Sequence, residues 1–97
     1  MPDRTIPETA LLARVTGRVQ GVSFRAWTES RARALGLEGW VRNEADGSVT
    51  ALIGGPESRV AEMLRALHEG PRYARVDQVE TAAFNPADVP PGYRITG

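Results

Sequence analysis

Residues 11–25 read LLARVTGRVQGVSFR and carry the local pattern that decides the fold. Apolar residues at positions 11, 13 and 15 recur with the period of a half-buried β-strand, which predicts a strand over residues 11–19. Gly17 and Gly21 then frame a segment too short to form an element of its own. Ser23 is of a type that caps helix N-termini and Gly36 of a type that ends helices. We therefore predict a strand that passes through a tight loop into a helix ending near Leu35.

The middle of the chain predicts a hairpin followed by a second helix. Residues 37–43 alternate as a strand with Asn43 and Val41 on one face, and Asp46-Gly47 is the signal of a tight hairpin turn. A third strand is predicted over residues 48–53, with Gly54-Gly55 as its break. Pro56 then suits the first position of a helix that ends at Gly70-Pro71.

The last quarter of the chain predicts two extended segments joined by a Pro-rich loop. The odd spacing between Val76 and Val79 suggests a β-bulge in the first segment. Residues 85–92 form the loop, and Tyr93 and Ile95 alternate as a short final strand. The order strand, helix, strand, strand, helix, strand is typical of an α+β, ferredoxin-like (split βαβ) sandwich. We expect an antiparallel sheet of four to five strands with both helices on one face.

Length and composition limit the domain count and the location. The chain has 97 residues, 41% hydrophobic and 25% charged, which predicts one globular domain over residues 1–97 without a membrane segment. Residues 1–10, which include Pro2 and Pro7, are expected to form a short flexible N-terminal lead-in. The absence of cysteine fits a reducing compartment, so we expect a cytoplasmic protein, with monomer as the default state.

Missing residue types exclude several kinds of chemistry. Cysteine is absent and all 12 basic residues are arginine, so thiolate nucleophiles, Schiff-base lysines and P-loop nucleotide sites are excluded. The single histidine, His68, cannot build a histidine-rich metal site, and we expect neither metal nor cofactor. A formal net charge of zero also argues against nucleic acid or membrane as a partner. The third strand has no aromatic residue on which an RNA base could stack.

The loop before the first helix is the strongest candidate for a binding site. A glycine-framed turn that enters a helix N-terminus leaves backbone N–H groups free in a positive dipole end, where a phosphate-like anion binds well. Arg25 lies in the first turn of that helix, where the dipole disfavours a cation by about 0.3 to 1 kcal/mol. An anion would offset that unfavourable charge. The alternative is that Arg25 is a solvated helix residue and that the glycines serve only the turn.

Four further polar residues allow both functional and structural interpretations. The amide of Asn43 can hold a water molecule, or it can cap its own turn. Glu44 and Asp46 could form a carboxylate pair, but a hairpin turn already explains Asp46. His68 lies in the last turn of a helix, where it complements the dipole.

Residues 15–25 (VTGRVQGVSFR) and 35–43 (LGLEGWVRN) resemble the two signature stretches of the acylphosphatase family. The resemblance covers nearly the whole chain. It implies a small metal-free hydrolase that cleaves an acyl phosphate, its small-molecule partner, into a carboxylate and inorganic phosphate. Arg25 would bind the phosphate and Asn43 would orient the attacking water. The remaining implied phosphate-binding residues are Arg18, Val19, Gln20, Gly21, Val22 and Ser23.

The chemistry of this reaction agrees with the small set of residues. The leaving carboxylate has a pKa of about 4, so no general acid needs to protonate it. Phosphoryl transfer depends mainly on positioning and electrostatics, which an arginine and backbone donors can supply. The alternative is a non-catalytic phosphate- or carbamoyl-phosphate-binding domain of the same fold.

Overall fold

The structure, a computed structural model, describes residues 6–97 as five strands, two α-helices and one short 3₁₀ turn. These elements are β1 (Thr9–Arg18), α1 (Phe24–Ala34), β2 (Glu38–Asn43), β3 (Val49–Gly55), α2 (Glu57–Glu69), β4 (Arg75–Ala83), a 3₁₀ turn (Pro86–Asp88) and β5 (Tyr93–Ile95). The order and type of every predicted element are therefore confirmed.

The five strands form one sheet in the order β4-β1-β3-β2-β5. The pairs β1–β3, β1–β4 and β2–β3 are antiparallel, whereas β5 runs parallel to β2. The prediction of a wholly antiparallel sheet is therefore wrong, because the sheet is mixed. The path of the chain explains the difference. Strand β4 ends at the same end of the sheet at which β2 begins, so the connection that crosses the sheet there starts β5 in the direction of β2.

Both helices pack on one face of this sheet, as predicted for the ferredoxin-like α+β fold. The main core lies between the sheet and the helices, and α1 contributes Phe24, Thr28 and Ala32 to it at helical spacing. Val60, Met63 and Leu67 form the corresponding buried stripe of α2. The opposite face is covered in part by a smaller cluster of Ala10, Leu52 and Val89.

The boundaries of two predicted elements need correction. Strand β3 continues through Gly54 and Gly55, where Gly55 pairs with Thr9, so these glycines do not break it. A Cβ atom at Gly55 would lie 2.6 Å from Cδ2 of Leu37, so glycine lets the strand pass this side chain. Pro56 is the N-cap of α2 rather than its first helical residue.

The predicted flexible lead-in also extends too far along the chain. Because β1 begins at Thr9 and Ala10 is 3% exposed, the last residues of that segment belong to the sheet. Residues 1–5 lie outside the part of the chain that the structure describes.

The predicted bulge in β4 is confirmed and lies beside the start of the β1–α1 loop. Thr16 pairs with Gln78 and Gly17 with Val76, which leaves Asp77 as an extra residue on β4. The two backbones approach closely here, because a Cβ on Gly17 would lie 2.2 Å from the carbonyl oxygen of Arg75. Gly17 also has φ 122°, a conformation that glycine adopts readily. The bulge therefore lies just before Arg18, the residue at which β1 ends and the loop begins.

A polar network on the face of the sheet opposite the helices holds the β2–β3 turn against β1. Nη2 of Arg14 lies 2.7 Å from Oδ2 of Asp46, and its Nη1 lies 3.1 Å from Oε1 of Glu80 on β4. Oδ1 of Asp46 accepts from the backbone N–H of Ser48 at 2.9 Å and from its hydroxyl at 2.6 Å. The Ser48 hydroxyl and then the Arg14 guanidinium hold the pKa of Asp46 well below its usual range.

Replacing Asp46 by Asn is expected to weaken the fold at neutral pH and to matter less in acid. A carboxylate with a lowered folded-state pKa stabilises the fold above its unfolded pKa of about 3.9, and this stabilisation fades as the pH falls toward the folded pKa. We expect Asp46→Asn to lower Tm by about 2–4 °C near pH 7, since exposed ion pairs contribute little.

Thermal unfolding followed by circular dichroism from neutral to acidic pH would measure both effects. The difference in Tm between the two proteins should narrow below about pH 4. Asp88→Asn, on the 3₁₀ turn, is the matched control and should show no such narrowing. A constant difference at every pH would contradict the role given to the Asp46 charge.

Candidate active site

A cavity of about 380 Å³ lies where the β1–α1 loop meets the ends of β2 and β5. Its wall combines backbone from the loop, the first turn of α1 and two side chains from the sheet. The lining residues are Val19, Gln20, Gly21, Ser23, Phe24, Arg25, Ala26, Asn43 and Ile95. The two predicted catalytic residues, separated by a helix and a strand in the sequence, thus share one cavity.

The loop leaves a run of backbone N–H groups without partners among residues 6–97. Gly21 has φ 74° and Ser23 has φ 63°, so the chain turns twice through the left-handed region before the helix. The N–H groups of residues 20–26 donate to no backbone carbonyl of residues 6–97, and the first such bond runs from Trp27 N–H to the Ser23 carbonyl at 3.0 Å. These free donors at a helix N-terminus form the kind of concave surface that binds a phosphate-like anion.

The prediction of Ser23 as the N-cap of α1 is confirmed for its position but not for the hydrogen bond expected of its side chain. Ser23 occupies the N-cap position of α1, but its side chain makes no capping hydrogen bond. The residue is left-handed, whereas a capping serine ordinarily has an extended conformation that lets its hydroxyl reach back to the helix. No acidic residue lies in the first turn of α1. Among the described residues, the positive end of the helix therefore has no side-chain partner at the cavity.

Arg25 and Asn43 are joined through one oxygen atom. Nη1 of Arg25 donates to the main-chain oxygen of Gly97, and the backbone N–H of Asn43 donates to the same oxygen at 3.2 Å. Arg25 is half-buried, so its guanidinium is held beside the end of β2 instead of extending freely into solvent. The contact fixes the guanidinium on the Asn43 side of the cavity.

The side chain of Asn43 carries an acceptor without a partner. Asn43 is the last residue of β2, on the helix-facing side of the sheet with Val41, as predicted. Its Oδ1 atom is fully buried and accepts no hydrogen bond from any residue in the range 6–97. A buried amide oxygen without a donor is costly, by about 1–3 kcal/mol, unless a water molecule or ligand supplies one. The alternative in which Asn43 caps its own turn is therefore not supported, because this oxygen accepts no backbone N–H.

Three loop residues that were predicted to bind phosphate are placed differently from the rest. Arg18 ends β1, opposite Arg75 of β4, and is exposed outside the cavity wall. Val22 is also absent from the wall and packs against the main core. The side chain of Gln20 turns away from the loop and donates to the β2–β3 turn. Gln20 still lines the cavity, as do Val19, Gly21 and Ser23.

The structural interpretations hold for the other polar candidates. Oε2 of Glu44 lies 2.8 Å from Nε of Arg42, and hydrogen bonds from Thr50 and then Arg42 lower the pKa of its carboxyl. His68 is exposed in the last turn of α2 and is not one of the residues that line the cavity. Within residues 6–97, no three His, Asp or Glu side chains come together in a group that could hold a metal ion.

Sequence reasoning missed two residues, one in β5 and one in the segment after it. Ile95, which is 38% exposed, lines the cavity, and the main-chain oxygen of Gly97 holds Arg25. The alternation of Tyr93 and Ile95 predicts a strand but not its neighbour. Only the parallel register, in which Val41 pairs with Ile95, brings this segment beside Asn43.

Comparison with known proteins agrees with the site. Residues 11–95 match the sequence profile of the family described as Acylphosphatase. The chain is 55% identical over 87 residues to "Acylphosphatase" of Rhizobium meliloti (strain 1021), covering 90% of this chain and 92% of that protein. No helix in residues 6–97 is both long and apolar enough to span a membrane.

Two solved structures have the same fold. An acylphosphatase from Bacillus subtilis superposes with a TM-score of 0.86 at 30% identity, over 91% of this chain and 98% of that one. An acylphosphatase from Coxiella burnetii gives 0.85 at 32% identity, over 93% and 94% of the two chains. Since the match in sequence covers almost all of the fold that carries the cavity, this chain belongs to the acylphosphatase family.

Proposed function

We propose that the chain hydrolyses acyl phosphates in the cavity between the β1–α1 loop and the end of β2. The observation that supports this most directly is that free N–H groups, the Arg25 guanidinium and the unpaired Oδ1 of Asn43 meet at one cavity. The first two bind the phosphoryl group of the substrate. The third accepts a hydrogen bond from the water that attacks phosphorus.

The phosphoryl group binds as an anion at the positive end of α1. The N–H groups of residues 20–26 donate to its non-bridging oxygens, and Arg25 adds a planar pair of donors from one side. Charge on these oxygens changes during a loose phosphoryl transfer, so donors that are already in place stabilise the transition state without reorganising. The loop and Arg25 therefore supply most of the rate enhancement.

The water attacks from the side on which Asn43 lies. Oδ1 of Asn43 accepts one of its hydrogens and so directs an oxygen lone pair toward phosphorus. The P–O bond to the acyl group breaks as the new P–O bond forms, and the electron pair leaves with the carboxylate. Among the described residues that line the cavity, none is Asp, Glu or His. We propose that a phosphoryl oxygen of the substrate takes the second proton of the water.

Hydrolysis of benzoyl phosphate with excess EDTA tests this proposal. We expect turnover that is unchanged by the chelator and inhibited competitively by inorganic phosphate, because the product occupies the same donors as the substrate. Activity lost with EDTA and restored by a divalent ion would contradict the mechanism. A folded protein that binds phosphate without turnover would instead favour the phosphate- or carbamoyl-phosphate-binding alternative.

We also propose that the chain acts as a monomeric, single-domain enzyme in the cytoplasm. The main core lies within this one sheet and its two helices, which supports a domain that is stable without a partner. The lack of cysteine fits a reducing compartment. Light scattering after size-exclusion chromatography should give one species near 10.5 kDa, and a larger mass would contradict the monomer.

A further inference from the structure

We propose that Gln20 is a positioning residue, which holds the phosphate-binding loop in register with Asn43 through its side chain. This inference rests on the proposed function and goes beyond it, because the resemblance assigns Gln20 only to the phosphate-binding loop. In the structure the side chain of Gln20 contacts the β2–β3 turn, whereas its backbone N–H belongs to the phosphate-binding loop.

Gln20 bridges the loop and the β2–β3 turn with a two-pronged contact. Its Nε2 atom donates to the carbonyl oxygen of Glu44 at 2.9 Å and to that of Ser48 at 2.9 Å. Those two residues close the turn themselves, since the Glu44 N–H donates to the Ser48 carbonyl at 2.8 Å. Gln20 thus binds the base of the turn at the residue that directly follows Asn43.

This geometry leaves the side chain of Gln20 unable to bind phosphate. A glutamine amide has two N–H donors, and both are directed at carbonyl oxygens of the turn. The remaining Oε1 atom is an acceptor and would repel an anion. The residue contributes to anion binding only through its backbone N–H, while its half-buried side chain contacts the strand end that carries Asn43.

No other side-chain hydrogen bond between described residues joins the segment 19–23 to the β2–β3 turn. Because the N–H groups of residues 20–26 are free to bind substrate, they cannot also hold the loop in place. The turn itself is held by the Arg14–Asp46–Ser48 network described above. Gln20 therefore fixes the distance between the phosphoryl site and the water site.

Hydrogen exchange of the glutamine side chains tests the contact without relying on activity. The chain has two glutamines, Gln20 and the exposed Gln78 of β4, so each serves as reference for the other. In a ¹⁵N spectrum of the wild-type protein, the Gln20 NH₂ protons should exchange with water at least tenfold more slowly than those of Gln78. Equal exchange rates would overturn the proposal.

Kinetics of Gln20→Glu test the consequence for catalysis. A carboxylate at this position faces two carbonyl oxygens and cannot donate to either, so we expect kcat for benzoyl phosphate to fall by roughly 10- to 100-fold. The added negative charge should weaken inhibition by inorganic phosphate, but by a clearly smaller factor than it lowers kcat, because the loop N–H groups and Arg25 remain. Gln78→Glu makes the same chemical change on an exposed strand and should leave both constants unchanged.

The outcomes separate this inference from the proposed function. Wild-type turnover of benzoyl phosphate tests the function, whereas the exchange rates and the difference between kcat and phosphate inhibition test Gln20. If Gln20→Glu keeps kcat within threefold, or loses phosphate binding as much as kcat, Gln20 does not act by positioning. If that variant does not fold, as judged by circular dichroism, the exchange measurement on the wild-type protein decides.

Discussion

Arg25→Ala is expected to lower kcat/KM for benzoyl phosphate by roughly a thousandfold, which corresponds to about 4 kcal/mol of transition-state stabilisation. Arg25 is the cationic side chain on the cavity wall, and its guanidinium is held in place by the main-chain oxygen of Gly97. A guanidinium that is already oriented toward the phosphoryl oxygens loses little freedom when substrate binds. Competitive inhibition by inorganic phosphate should weaken in parallel, since product and substrate bind the same donors.

Arg25→Lys should fail almost as badly. A lysine keeps the positive charge but lacks the planar pair of donors, and its flexible ammonium cannot replace the contact to Gly97 while binding phosphate. Arg65→Lys, at an exposed position on α2, is the matched control and should retain full activity. Retention of more than a tenth of the activity by either Arg25 variant would remove this residue from the mechanism.

The loss of activity should occur without a comparable loss of stability. Arg25 places a cation at the N-terminal end of α1, where the dipole disfavours it by about 0.3 to 1 kcal/mol, so its removal relieves an unfavourable interaction. Removal also breaks the bond to Gly97, which offsets part of that gain. Thermal unfolding of Arg25→Ala should therefore give a Tm within a few degrees of the wild type, which distinguishes a lost function from a lost fold.

Local patterns were sufficient to predict the elements, but not the contacts that decide their boundaries. The alternation in β2 and the stripe of Val60, Met63 and Leu67 in α2 depend on near neighbours alone. The direction of β5 depends instead on the path of the preceding loop. Val89 of this loop packs against Leu52 on the face of the sheet opposite the helices.

Local patterns were also insufficient to predict the conformations of Gly54, Gly55 and Ser23. Gly54-Gly55 suggested a break because glycine is rare within strands, yet Gly55 lies in β3 where the side chain of Leu37 leaves no room for a Cβ atom. Ser23 was predicted as the N-cap and occupies that position, but with its left-handed backbone angles the side chain makes no capping hydrogen bond. In each case a distant neighbour or a backbone angle, neither visible as a local pattern, determined the outcome.

For the candidate site, the resemblance to the family assigned roles to residues whose spacing in the sequence did not by itself indicate a function. From spacing alone Arg25 could have been a solvated helix residue and Asn43 a turn cap. The structure brings both to one cavity and leaves Oδ1 of Asn43 unpaired among residues 6–97. The side-chain task of Gln20 and the contribution of Gly97 were not predicted, because each depends on a contact between distant parts of the chain.

Asn43→Ala is expected to lower kcat by roughly a hundredfold or more while changing phosphate inhibition by less than about threefold. Asn43 belongs to the end of β2 and not to the loop or α1, and its proposed contact is with the attacking water and not with the phosphoryl group. Alanine would leave the N–H donors of the loop and the Arg25 guanidinium intact. Substrate would therefore still bind, but the water would no longer be directed at phosphorus.

Two further variants make this prediction specific to the amide of Asn43. Asn85→Ala removes the same side chain from the 3₁₀ turn, where Oδ1 of Asn85 accepts from the Ala87 N–H at 3.0 Å, and should leave kcat unchanged. Asn43→Asp keeps an acceptor for the water but adds a negative charge beside the phosphoryl group, so it should weaken phosphate inhibition as well as turnover. If Asn43→Ala abolished phosphate inhibition while kcat held, the roles of Asn43 and Arg25 would be exchanged. Because the unpaired Oδ1 is what distinguishes Asn43 from an ordinary turn residue, the contrast between the alanine and aspartate variants reports directly on that atom.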